Sequence, residues 1–137
     1  MKYCPFCEII SGDKESHKIY EDNYCLAFLD INPEVKGHML LVPKKHYENL
    51  EDIDECTLSQ MAIAIKNINK LLIDNKFSKA SNVILSSGII ADQSVNHFHY
   101  HILPRNIDDG FNVWSVQQIN QEDISDLELV QKEILGL

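Results

Sequence analysis

The chain has 137 residues, 45% hydrophobic and 24% charged, with five Gly and four Pro. That suits one ordinary core and excludes collagen-like, mucin-like and wholly disordered polymers. Twelve basic residues against 21 acidic ones leave a net charge of −9, the wrong sign for a duplex nucleic-acid binder.

No apolar run approaches the ~20 residues that span a bilayer. The first eight residues hold two Cys and an acid where a signal peptide needs an apolar stretch. A cytoplasmic protein with neither membrane nor nucleic acid as partner is therefore expected. In chain order, Phe6–Ile10 predicts a short helical turn closed by Ser11-Gly12. His17–Glu21 and Tyr24–Ile31 predict two strands about Asp22-Asn23, the second apolar enough to be covered on both faces. Gly37–Val42 predicts a third strand, ended by Pro43. Glu51–Lys76 contains the main helix, with Leu58, Met61, Ala62, Ile65, Ile68 and Leu72 recurring at three and four. Asn82–Ser86 and Val95–Leu103 predict two more strands, and Gln121–Leu135 a C-terminal helix. The strand connections are mostly too short for parallel crossovers. The class is α+β: about five largely antiparallel strands, one long helix and short N- and C-terminal helices, in one domain over 1–137. Seven acidic residues and a single Lys follow position 107, which predicts a solvated acidic helix face there.

Four Cys in such a chain argue against a disulfide framework. Cys25 and Cys56 stand alone and are expected to be small apolar residues. Cys4 and Cys7 form a C-x-x-C, open to redox, metal-binding or incidental readings. A thioredoxin-like pair needs a βαβ setting that the first fifteen residues lack.

Three of the six His lie in His97-Phe98-His99-Tyr100-His101. In a strand, alternate residues share a face, so the imidazoles point one way and Phe98, Tyr100 and Ile102 the other. Imidazoles in a row are costly filler, since each ring needs partners for two nitrogens. Two chemistries suit the row. Side chains two apart, with Cα atoms ~6.6 Å apart, can share a zinc ion. Alternatively, one imidazole is a nucleophile and its neighbours donate to charge on a phosphoryl group.

His97-Phe98-His99-Tyr100-His101-Ile102-Leu103 resembles the histidine triad motif of the HIT superfamily. Gln93-Ser94-Val95, Pro104-Arg105, Phe28-Leu29-Asp30-Ile31-Asn32-Pro33 and the stretch Gly37–His46 resemble its flanking blocks, and Cys4–Gly12 its bacterial N-terminus. The likeness covers roughly residues 4–110, with 111–137 an acidic extension. It is closest to the Hint-type branch, the purine nucleoside phosphoramidases. It implies the HIT fold, usually as a homodimer, and cleavage of nucleoside 5′-phosphoramidates or acyl-nucleotides through a nucleotidyl-histidine. Diadenosine-polyphosphate hydrolysis, or nucleotide binding with incidental turnover, stays open as an alternative. The resemblance assigns His99 as nucleophile, His101 as phosphate donor and Ser94 as leaving-group partner. It assigns Gln93 to the phosphate loop, Asp30 to the ribose, and Phe6, Ile9 and Ile31 to the base. It completes a structural zinc site of Cys4, Cys7, His46 and His97, with no catalytic metal. His38 is expected to be a satisfied strand residue. Asp92 stands where the family usually has Gly, so a reshaped loop or a lowered substrate affinity is expected; Ser86 stands where it tends to have Asn, so a weaker second nucleotide contact is expected.

Overall fold

The computed structural model describes residues 3–114 and 125–137. Its frame is a five-stranded antiparallel sheet in the order β1-β2-β3-β5-β4. The strands are β1 (Lys18–Glu21), β2 (Cys25–Leu29), β3 (Met39–Pro43), β4 (Ala80–Leu85) and β5 (Tyr100–Arg105). Helix α1 (Pro5–Ser11) precedes them, α2 (Glu55–Asp74) joins β3 to β4, and α3 (Leu127–Leu135) ends the chain. Short antiparallel connections and a single long crossing helix are what the turn residues and the helical stripe require.

The period-two alternation of β2 and β3 gives each face of the sheet its own apolar set. Cys25, Ala27, Met39, Leu41, Phe98 and Ile102 pack against Met61, Ala64, Ile68 and Leu72 of α2. Leu26, Phe28, Leu40 and Val42 form the opposite face and meet Phe6 and Ile9 of α1. Asp54 caps α2 by accepting from Thr57 N at 2.7 Å, and Thr57 opens its buried stripe. Ala62 does not belong to that stripe and is exposed; Ala64 is buried in its place. At 100° per residue, 61, 64, 68 and 72 stay on one side and 62 turns away.

Three further expectations change. The fifth strand starts at Tyr100, not Val95, and runs to Arg105, so His97 and His99 precede the ladder. A 3₁₀ turn, Ile89–Ala91, occupies the loop between β4 and β5. Cys56 is exposed at the start of α2, whereas Cys25 is fully buried. Among the described residues the C-terminal helix covers Leu127–Leu135, with no buried side chain; its expected first turns at 121–124 lie outside them. No helix among them is long and apolar enough to cross a membrane.

Candidate active site

Phe98 and Ile102 point into the α2 face, so the alternating imidazoles fall on the α1 face. Phe6 stands edge-on to His97 and His99, with ring centroids 5.7 and 5.2 Å away, and His99 stands edge-on to His101 at 5.1 Å. His97 and His99 are 0% and 2% exposed, so the tautomer of each ring is set by what its nitrogens meet.

A carbonyl can only accept. His99 Nδ1 therefore donates to the His97 carbonyl at 2.7 Å, and its Nε2 keeps a lone pair. Burial pulls the His99 pKa down, partly offset by that bond, so the ring is neutral near pH 7. His101 is fixed through His38. Glu34 N donates to His38 Nδ1 at 3.0 Å, so His38 carries its proton on Nε2. That proton points at His101 Nδ1, 2.9 Å away, and His101 is left with Nε2–H. Burial, then the neighbouring His99 and His38, pushes the His101 pKa down to about 4. Side by side, the rings offer one imidazole lone pair and one neutral N–H donor.

Both face a cleft of about 900 Å³. Its lining includes Phe6, Ile9, Asp30, Ile31 and Ser94, which sequence reasoning assigned to it. Phe6 and Ile9 belong to the α1-face core and are each 7% exposed, so they form an apolar wall. Ile31, by contrast, is 85% exposed at the rim. Asp30 divides its oxygens: Oδ1 accepts from Asn32 N at 2.9 Å in a local turn, and Oδ2 lies 3.5 Å from His38 Nε2. Gln93 does not reach the cleft with its side chain. Its Oε1 accepts from Gly88 N and its Nε2 donates to the Glu48 and Val95 carbonyls, so it shapes the loop instead. Asp92 adopts φ +64°, ψ +32°, the left-handed conformation that favours glycine. The loop keeps that geometry with an Asp in it.

On the other side of His97, the ligand atoms of Cys4, Cys7, His46 and His97 all lie within 4.8 Å of one another. His97 Nδ1 is 3.3 Å from Cys4 Sγ, 3.6 Å from Cys7 Sγ and 3.1 Å from His46 Nδ1. A tetrahedral zinc with bonds of about 2.0–2.3 Å sets its ligands roughly 3.3–3.8 Å apart. His97 Nε2 donates to the Pro43 carbonyl at 2.9 Å, which leaves Nδ1 bare for a metal. The donor set fits structural zinc.

Asp30, His38 and His101 also bring three ligand atoms within 4.8 Å. There the tautomers run the other way. His38 Nδ1 already accepts from a backbone N–H, so a metal on its Nε2 would have to displace the only ring proton. This second group is a hydrogen-bond relay. Sequence reasoning missed His38. The available signal was its place two residues before Leu40, which pairs with His101 across β3 and β5, so both imidazoles share a face.

The HIT domain profile matches residues 11–108. The chain belongs to the HIT family. An adenosine 5′-monophosphoramidase of Saccharomyces cerevisiae is 38% identical over 136 residues, 97% of this chain and 81% of that one. A HIT family protein of Bacillus subtilis has a crystal structure similar at TM-score 0.82 and 37% identity, covering 98% of this chain and 96% of that one. A Zn-bound histidine triad family protein of Mycobacterium smegmatis is similar at TM-score 0.76 and 31% identity, covering 97% and 95%.

Proposed function

We propose that the protein hydrolyses purine nucleoside 5′-phosphoramidates or acyl-nucleotides through a nucleotidyl-His99 intermediate. The observation that carries this reading is the bond from His99 Nδ1 to the His97 carbonyl, 2.7 Å long. It leaves a neutral Nε2 lone pair beside the cleft, the state a nucleophilic imidazole needs. That lone pair attacks the α-phosphorus, and the bond from phosphorus to the leaving nitrogen or oxygen breaks. Ser94, exposed in the cleft lining, hands the leaving group a proton. His101 Nε2–H donates to a non-bridging oxygen as charge builds there. Water then attacks the phosphorus, the bond from phosphorus to His99 Nε2 breaks, and the proton the water gives up returns to Ser94. Phe6, Ile9 and Ile31 hold the base, and Asp30 Oδ2 accepts from the ribose hydroxyls. Gln93 acts through the loop it braces. The yeast relative's phosphoramidase name agrees with this substrate class.

Cys4, Cys7, His46 and His97 hold a structural zinc, which ties the N-terminus to the residue before Phe98 and leaves the chemistry to the imidazoles. Strand β4 is a six-residue sheet edge without proline, which favours pairing with a second copy. The deciding experiment is rapid quench of enzyme with adenosine 5′-phosphoramidate, followed by intact mass. A nucleotidyl adduct that maps to His99 and is absent from His99→Ala is expected. Full turnover by His99→Ala rejects the reading.

A further inference from the structure

The Cys/His cluster and the cleft share α1, which is joined to the rest of the molecule by two buried apolar side chains and by the contacts of its two Cys. It has seven residues and two buried side chains, Phe6 and Ile9, too short to be stable alone. Among the described residues, the backbone hydrogen bonds of 3–16 close within that segment: Glu8 N to Cys4 O, Gly12 N to Ile9 O, and Asp13 and Lys14 N to Glu8 O. The polar contacts that cross from it to the rest of the molecule are those of Cys4 and Cys7 with His97 and His46. Phe6 lies between those two Cys in sequence and forms the cleft wall beside His99.

His97 is held differently. It is fully buried, its Nε2 is bonded to the Pro43 carbonyl, and the next residue's N–H donates to Tyr47 O at 2.6 Å. None of these contacts passes through Cys4 or Cys7, so the carbonyl that orients His99 stays in place without them.

We propose that Cys4 and Cys7 are positioning residues for nucleoside recognition: metal occupancy at their site sets the affinity for the base by clamping α1, and leaves the chemistry at His99 untouched. This rests on the nucleotide-hydrolase reading and on the zinc-ligand set. A regulated loss of metal would then act on substrate affinity, without dismantling the catalytic histidines.

The test compares wild-type protein loaded with zinc, the same protein stripped by chelator, Cys7→Ser, and Phe6→Ala. Calorimetry measures binding of adenosine or guanosine 5′-monophosphate and of ribose 5-phosphate, which has no base. Metal loss is expected to weaken the nucleotides about tenfold or more, the scale of one lost apolar contact surface. Ribose 5-phosphate should stay within about twofold, because its partners lie off α1. KM should rise while kcat at saturation holds. Trypsin should cut after Lys14 in stripped protein and spare it in loaded protein. Phe6→Ala should reproduce the affinity loss with zinc retained. Equal weakening of ribose 5-phosphate, a fall in kcat at constant KM, or global unfolding on stripping each overturns the proposal. Failure of zinc-loaded protein to bind any nucleotide overturns the hydrolase reading itself, and the proposal with it.

Discussion

Replacing His38 by Asn and by Gln separates its two hydrogen bonds. Asn can present an amide oxygen near the position of Nδ1 and keep the acceptor for Glu34 N, but it is too short to reach His101. Gln can present an amide N–H near the position of Nε2 and keep the donor to His101, but it leaves Glu34 N without its acceptor. The native distances are 3.0 Å for the first bond and 2.9 Å for the second, and His38 is 4% exposed. Glu34 itself is exposed and its bond to His38 half-buried, so leaving Glu34 N unpaired costs about 1 kcal/mol, the low end for a lost partner. His38→Gln should therefore lose most in stability, a drop in Tm of roughly 2–5 °C for a domain of this size.

His38→Asn should lose most in catalysis. Without a donor opposite its Nδ1, His101 forfeits about 1 kcal/mol of tautomer bias, roughly a fivefold fall in the ratio of productive to unproductive tautomer. Loss of ring position extends this toward the ~100-fold typical of a missing oxyanion donor. Thermal melts and single-turnover rates at pH 7.5 measure the two effects. Equal kcat in both variants would refute the relay and leave His38 as simple packing.

Acidification should reveal the buried rings. His38, His99 and His101 all have lowered pKa values, first through burial, with His101 at about 4. The unfolded chain then binds protons near pH 6.5 that the folded one refuses, so stability should be full above pH 6.5 and fall toward pH 4. Urea midpoints at half-unit pH steps check this, and the acid limb of kcat/KM should likewise lie below pH 6.5. Asp30→Asn keeps an oxygen for Asn32 N and removes the charge. It should weaken ribonucleotide binding about tenfold, the lower end for a bond to a charged group, while 2′,3′-dideoxy analogues bind unchanged in calorimetry. Asp92→Gly should relieve the left-handed strain and raise stability by about 0.5–1 kcal/mol, seen as a small rise in Tm; a fall would mean that the carboxylate braces the loop.

The antiparallel α+β frame was legible because each element carries its own signal. Pro43 and Asn32-Pro33 end strands, the alternation of β2 and β3 suits two covered faces, and α2 has a continuous stripe. The Cys/His cluster was legible through a resemblance that supplied His46 and His97, which lie 39 and 90 positions from Cys7. Spacing along the chain could not have joined them. The partners of Gln93 and His38 were not legible, for a common reason. A side chain's role depends on which neighbour takes each polar atom, and Gly88, Glu48 and Glu34 are brought to them only by the folded loops.

The start of β5 carries the most chemical meaning. Strict alternation from Val95 to Leu103 reads as continuous strand, and a continuous strand would commit the His97 carbonyl to a ladder bond with β3 or β4. In the structure β3 pairs with β5 only from Tyr100 onward, and β4 begins its pairing at the same residue. His97, Phe98 and His99 therefore keep the alternation of side chains without the ladder. Phe98 N finds Tyr47 O instead, and the His97 carbonyl is free to take the proton of His99 Nδ1. Extending the ladder by three residues, to His97, would satisfy the backbone and remove the acceptor that fixes the His99 tautomer. The departure from regular strand is thus what gives three aligned imidazoles three different settings: His97 among Cys4, Cys7 and His46, His99 with a bare Nε2, and His101 with an Nε2–H.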